Sequence, residues 1–259
     1  MSSFSTPAII LRRIEFGDND LILSFMTLNK GKISAIAKSA KKSTKRFAGI
    51  LEPFSILEAV FTSGKGKGRL HILQEAVLKY PFSAIRSNFI KTAYASYWAE
   101  LIYEWMEEAQ CQADVYHLFL HTLKELDSNR TQEAALSVLF QMRFITLAGY
   151  GPNLTHCSIC KKGLEEIIKP KMSFDIKRGG LICDTCKRQT TGMLSLSRGT
   201  LKQLLWIESG NLAKAKKIRI DDLSIKESLD FLETFVPYHL GKSPRSLSFL
   251  RKIRSNAIK

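Results

Sequence analysis

Two Cys-x-x-Cys turns, Cys157-Ser158-Ile159-Cys160 and Cys183-Asp184-Thr185-Cys186, stand 22 residues apart in a chain of 259 residues. Tetrahedral zinc takes four thiolates, and two such turns present them from adjacent knuckles. The intervening chain, with Met172 to Ile176 and Gly180 to Ile182 as expected short strands, is too short to bury a core alone. The pairs therefore predict a structural Zn2+, one per chain, that ties the segment together. A redox dithiol and a catalytic zinc are the rival readings, but a catalytic zinc needs an open position and four thiolates close the shell. The zinc deaminase pattern needs H-x-E before P-C-x-x-C, and neither half is present. His156, beside Cys157, is a possible substitute ligand and is expected to be a bystander. The fifth cysteine, Cys111, falls in a helical stretch and is expected to be buried or idle. Thiolate ligation rather than a disulfide framework fits a reducing compartment, so the expected location is cytoplasmic. No apolar stretch approaches the roughly 20 residues that span a bilayer.

Upstream, residues 1 to 80 read as β structure. Ala8 to Ile14, Leu21 to Thr27, Lys32 to Ala37, Ile56 to Phe61 and Leu70 to Leu78 are short apolar runs separated by turn signals. Five strands in that length predict a small barrel of the OB type, which binds oligonucleotides on one face and through its loops; an SH3-like barrel competes. After Tyr80-Pro81 the period becomes helical, from Ser83 to Ala109, through Val115 to Leu123, and after Thr131 as a plausible N-cap to Leu147. Gly149-Tyr150-Gly151-Pro152 ends that region. From Ser197 the pattern is helical again; Ser224 to Glu227 matches a capping box, Pro237 is expected to kink or end its helix, and a last short helix is expected from Ser246 to Arg254. The expected class is α+β: a barrel domain at 1–80, helical parts at 81–152 and 193–259, and a zinc segment at 153–192 between them.

Charge suggests the partner. Against 24 Asp and Glu stand 39 Lys and Arg, a formal net charge of +15, which favours a polyanion, nucleic acid first and an anionic membrane surface second. Residues 1 to 80 carry 13 basic and 6 acidic side chains, 83 to 150 carry 5 and 8, and 214 to 259 carry 11 and 5. The densest run, Lys38, Lys41, Lys42, Lys45 and Arg46, follows an expected strand and predicts a mobile loop able to touch phosphates. Lys65, Lys67 and Arg69 sit in a glycine-rich hairpin turn that lacks the G-x-x-x-x-G-K-[ST] phosphate loop. Lys214, Lys216, Lys217 and Arg219 form a second cluster. Arg245, Arg251, Lys252 and Arg254 form a third, where Leu247 and Leu250 beside the charge suit an acidic partner peptide. Of Phe16, Phe25, Phe47 and Phe54, at most one or two are expected to be exposed for base stacking, because most aromatics in a small barrel are core. The five histidines lack partners at catalytic spacing, so no enzyme is expected.

Four stretches resemble the RecO family of bacterial recombinational repair proteins. Leu147 to Cys157 is similar to its LGYG-x-N-x-x-x-C run, Ala37 to Ser43 to its AKGA-R/K-x-S loop, Leu51-Glu52-Pro53-Phe54 to its LQPF element, and Pro237 to Ser246 to its Y-x-x-G-K-x-x-x-S signature. They occur in family order along nearly the whole chain. The resemblance implies an OB domain, a helical domain and an embedded zinc segment whose cysteines some members lack. It further implies binding of single- and double-stranded DNA near the bacterial nucleoid and annealing of complementary strands. Cooperation with RecR, recognition of the acidic C-terminal tail of single-stranded DNA-binding protein (SSB), and help in loading RecA are also implied. By position it makes Lys38, Lys41, Lys42, Lys45 and Arg46 the DNA contacts. An RNA-binding OB protein of translation or ribosome assembly is the alternative that charge and barrel alone leave open.

Overall fold

The computed structural model describes residues 2–64, 70–167, 170–187, 193–209 and 220–257. Five strands, β1 (Ser3–Phe16), β2 (Asp20–Thr27), β3 (Gly31–Ala37), β4 (Ile56–Thr62) and β5 (His71–Tyr80), close a barrel in the order β1-β2-β3-β5-β4. All five match the apolar runs, because alternation along each strand sends one set of side chains inward. Ile10, Leu23, Phe25, Ala35, Ala59, Phe61 and Leu73 fill the interior. β1 pairs antiparallel with both β2 and β4, and β3 meets β5 in parallel at Ala35 and Ile36. That crossover makes the barrel a Greek key of the OB type rather than a meander of hairpins.

Helices α1 (Ser83–Arg86), α2 (Phe89–Trp105), α3 (Ala113–Asp127) and α4 (Glu133–Leu147) follow. The single helix expected over Ser83 to Ala109 is broken at Asn88, whose side chain accepts from the Lys91 N–H at 3.1 Å and caps α2. The cap of α4 is Gln132, not Thr131, and Cys111 lies exposed in the loop before α3 instead of inside a helix. Strands β6 (Lys171–Asp175), β7 (Gly180–Ile182) and β8 (Met193–Ser197) form a sheet in the order β7-β6-β8, with α5 (Asp184–Lys187) after β7. Helices α6 (Arg198–Ser209), α7 (Asp222–Leu240) and α8 (Arg245–Ala257) complete the described chain.

The start of α7 differs from expectation, and of the two outcomes expected at Pro237, a kink or an end, the helix does not end there. Asp221 caps α7 by accepting from the Ser224 N–H at 2.9 Å and hydroxyl at 2.7 Å. Glu227, free of the expected capping box, accepts instead from the Ser197 N–H at 2.9 Å and the Thr200 hydroxyl at 2.6 Å, tying α7 to the start of α6. Pro237 lies within α7, which ends only at Gly241, in the left-handed region at φ 73°.

The chain divides into two compact units, Met1–Asn129 with Pro244–Lys259, and Arg130–Ser243. In the first, Lys32 reaches from the barrel to the Tyr103 carbonyl of α2 at 2.7 Å, and Arg12 and Lys32 lie over the Tyr103 ring at 5.3 and 5.1 Å. Glu100 of α2 accepts from the backbone of Arg245 and Ser246 at 3.0 and 2.8 Å and from the Ser246 hydroxyl, so a side chain of one helix caps the N-terminus of α8. In the second unit Phe174 of β6 packs edge-on against Phe231 and Phe235 of α7, at 4.7 and 5.4 Å. The cysteine segment, too short for its own core, thus shares one with a helix.

Candidate nucleic-acid surface and metal centre

After β3 the chain makes a tight 3-10 turn, Ala40–Lys42. The turn is fastened at several points: the Ser39 N–H donates to Asp20 Oδ1 at 2.7 Å, the Lys41 N–H to the Asn19 carbonyl at 3.0 Å, and Ser43 Oγ accepts from the Arg46 and Phe47 N–H groups at 3.1 and 3.0 Å. Ala40, Phe47 and Leu51 are buried in the barrel core. The basic run expected to project as a mobile loop is therefore strapped to the barrel, because its apolar residues fill one end of the interior.

The five cations of that run do not share one role in the structure. Lys38, Lys42 and Lys45 are exposed. Arg46, also exposed, donates to the Lys38 carbonyl at 2.6 Å and stacks on the Phe47 ring at 4.4 Å, which aims its guanidinium along the loop. Lys41, exposed as well, is held along the surface by Glu15 at 2.9 Å and the Gly17 carbonyl at 3.1 Å. The same ion pair lowers the Glu15 carboxyl below its ordinary value. Of the four barrel phenylalanines considered for stacking, Phe25, Phe47 and Phe54 are buried and Phe16 is 51% exposed. Phe16 stands at the tip of the β1–β2 hairpin with Ile14, also exposed, two residues before it. Alternation places both on one face.

Lys65, Lys67, Arg69, Lys214, Lys216, Lys217 and Arg219 lie outside the described residues. On α8, Leu247 and Leu250, read as apolar anchors for a partner peptide beside Arg245 and Arg251, are buried, on a helix that packs against α2. Phe249, about 100° around the helix from Leu250, is exposed at the edge of this contact and meets Phe89 of α2 edge-on at 5.4 Å. Helical spacing of four and three residues puts Arg245 and Lys252 beside Phe249.

The four paired cysteines do come together. The sulfurs of Cys157, Cys160, Cys183 and Cys186 all lie within 4.8 Å of one another, with Cys160 Sγ and Cys183 Sγ 3.6 Å apart. Four thiolates about 2.3 Å from one zinc ion stand about 3.8 Å from each other, so the spacing fits a tetrahedral metal. Burial opposes ionisation of Cys157, but the N–H groups of Cys183, Cys160 and Ile159 outweigh it and draw the thiol down to about 6. Cys186 is pushed up to about 12, chiefly by hydrogen bonding to the Cys183 sulfur and then by burial. Four sulfurs this close cannot all ionise without a cation, and a divalent ion removes that conflict. The His156 ring nitrogen Nδ1 pairs with the Thr155 hydroxyl at 2.9 Å, outside the sulfur cluster.

The knuckle is bonded to the β6–β7 hairpin. Asn153 N–H donates to Gly179 at 2.8 Å and Ser158 N–H to Leu181 at 2.8 Å. At Gly180 a Cβ would come within 2.1 Å of Ser158 Oγ, so any larger residue there requires the Ser158 side chain to turn away from its place beside Asn153. Among the described residues no helix is long and apolar enough to cross a membrane.

Comparison with known proteins bears on the whole chain. The family described as recombination protein O N terminal matches residues 1–82, and recombination protein O C terminal matches residues 86–248. A relative named DNA repair protein RecO, from Desulfosudis oleivorans, is 44% identical over 258 residues, covering 98% of this chain and 99% of that one. Proteins of the same name from Desulfatibacillum aliphaticivorans and Syntrophus aciditrophicus are 43% and 32% identical, each over 98% of this chain.

Proposed function

The chain belongs to the recombination protein O family, and on that premise we propose that it is a cytoplasmic, non-enzymatic mediator of DNA repair and recombination. It binds single- and double-stranded DNA through the barrel and anneals complementary strands. The observation that carries this reading is the strapped loop, which holds Lys38, Lys42, Lys45 and Arg46 outward on a rigid barrel next to an exposed aromatic hairpin tip.

Cations fixed in this way neutralise phosphates without reading sequence. Neutralising two strands at once lowers the repulsion between them, and pairing then follows with no covalent step. A structural Zn2+ held by Cys157, Cys160, Cys183 and Cys186 would supply only a clamp, because four protein thiolates leave no position for substrate. That closed donor set is also the argument against a zinc hydrolase. Family membership likewise argues against the RNA-binding alternative.

For partners, the reading takes RecR, the acidic C-terminal tail of SSB, and through them the loading of RecA. Support for a tail site comes from the exposed Phe89–Phe249 pair flanked by Arg245 and Lys252: an aromatic contact ringed by positive charge suits an acidic peptide with an apolar end.

Annealing of complementary fluorescent oligonucleotides tests the core of the proposal. The protein should accelerate pairing at low salt and lose the effect as salt rises. No acceleration, together with no DNA binding, refutes it.

A further inference from the structure

Two sequence stretches that the barrel reading does not use meet in the second unit. Tyr150, between Gly149 and Gly151 after α4, and Tyr238, near the end of α7, each place a ring 5.3 Å from the imidazole of His239. His239 is itself packed on Phe235 at 4.4 Å. The central ring is thereby fixed to the core, while Tyr150 and Tyr238 are 47% and 50% exposed. Core packing behind an aromatic pair makes it rigid, and a rigid aromatic face costs little entropy when something stacks on it.

Positive charge borders these rings. The Asn153 N–H, three residues after Tyr150, donates to the carbonyl of Gly179 at 2.8 Å, so the β6–β7 turn bearing exposed Lys177 and Arg178 lies beside the Tyr150 loop. Arg178 is steadied by Asp175 at 3.5 Å. On the other side exposed Lys242 follows Tyr238 by four residues, just past the helix end at Gly241. Of the acidic groups near these rings, Asp175 is buried and occupied by the Lys177 and Arg178 N–H groups at 2.9 and 3.2 Å, and Glu208, beside Gly151, is half-buried and accepts from the Thr146 hydroxyl at 3.5 Å, so the exposed charges of the turn itself are Lys177 and Arg178.

We propose that Tyr150 and Tyr238, bordered by Lys177, Arg178 and Lys242, form a second DNA-binding surface, one that stacks unpaired bases of single-stranded DNA. Aromatic faces interleaved with cations are what an unpaired strand offers bases and phosphates to; a duplex, whose bases are already stacked, has nothing to give the rings. The inference rests on the DNA-binding reading above and adds to it a base-dependent contact on the unit that also carries the metal cluster.

The test uses the full metal-loaded chain and fluorescence anisotropy with a labelled 20-mer of deoxythymidine and an abasic strand of the same length. Paired substitution Tyr150→Leu and Tyr238→Leu should weaken binding of the thymidine strand roughly tenfold and leave the abasic strand unchanged, whereas Tyr150→Phe with Tyr238→Phe should keep wild-type affinity. Substituting Lys42→Ala and Lys45→Ala on the barrel should weaken both strands alike. Unchanged thymidine binding in the leucine pair overturns the surface while leaving the barrel reading intact, as does an equal loss on both strands. Loss of binding to a protein partner with DNA binding intact overturns it too, and assigns the rings to that partner. If the wild-type chain binds neither strand, both readings fall.

Should the leucine pair fail to match wild type in melting temperature and metal content, photocrosslinking of the unaltered protein to a strand containing 5-iododeoxyuridine decides the matter. Adducts on Tyr150 or Tyr238 support the surface, and adducts confined to the barrel overturn it.

Discussion

Neutralising the exposed lysines of the barrel loop gives a quantitative test of how this chain holds DNA. All five cations of the loop are exposed, but Lys41 is paired with the surface carboxylate of Glu15, so the loop offers four phosphate contacts rather than five. Each contact to a single strand contributes about 0.7 to the slope of log affinity against log salt, so the loop supplies a slope of about −2.8. Between 50 and 200 mM salt that slope alone weakens binding roughly 50-fold. The triple variant Lys38→Ala, Lys42→Ala, Lys45→Ala keeps only Arg46, a slope of about −0.7, and weakens roughly threefold over the same range. Contacts elsewhere add equally to both proteins, so the difference of about 2 in slope is the quantity to measure, by anisotropy titrations at four or more salt concentrations. Lys41→Ala is the internal control: its slope should equal that of the wild type. Slopes for the triple variant and wild type that agree within about 0.5 would refute phosphate contact by this loop, and a shallower slope for Lys41→Ala would refute the division of roles drawn from the Glu15 pair.

Chelation of the metal, or Cys183→Ser, should remove on the order of 10 kcal/mol of support from the cysteine segment; proteolysis should then cut within 153–192 while the barrel resists, and uniform resistance would exclude a structural metal. Gly31→Ala should lower the melting temperature sharply and cost more than about 1 kcal/mol, because φ is 67° there and a Cβ would sit 1.7 Å from the Gln110 carbonyl oxygen; an unchanged melting temperature would show that this approach relaxes freely. Glu227 adds a pH dependence. Burial raises its value, but the Thr200 hydroxyl, the Ser197 backbone and hydroxyl and Lys171 outweigh that and hold it below the ordinary 4.5. A carboxylate lowered in the folded state stabilises above its unfolded value and loses that contribution as pH falls through the folded one. Glu227→Gln should therefore reduce stability near neutrality and flatten the acid side of the stability profile, and a parallel profile would contradict the assignment.

The barrel was legible in the sequence because its information is local. Alternating apolar residues and glycine-rich turns mark each strand without reference to any other, and all five runs fell on strands. What the sequence left open between OB and SH3-like barrels was the pairing of β3 with β5 across the whole β4 segment, a contact that no local pattern encodes. Exposure was no easier to read. Phe16 and Phe47 both adjoin charged residues in the chain, yet Phe47 is drawn into the barrel by the fastened turn while Phe16 sits at an open hairpin tip. The same limit explains Leu247 and Leu250, which look like anchors beside arginines until α2 is known to cover them.

The cysteines show how a strong motif can be read correctly and still conceal its surroundings. Ligand spacing forecast a four-sulfur cluster, and the sulfurs converge. Strand β8 was missed because Met193 to Ser197 lies against β6, some 20 residues earlier, and its apolar residues merge into those of α6 when read along the chain. With β8 in place the segment becomes a sheet whose buried face, centred on Phe174, rests on Phe231 and Phe235. The sulfur cluster and α7 then hold neighbouring strands of one sheet: the sulfurs lie between the knuckle and the end of β7, and the aromatic contact fixes β6 to the helix. A clamp of that kind sets where the turn carrying Lys177 and Arg178 lies relative to Tyr150. Losing the metal should therefore weaken the base-dependent part of DNA binding and spare the salt-dependent part contributed by the barrel.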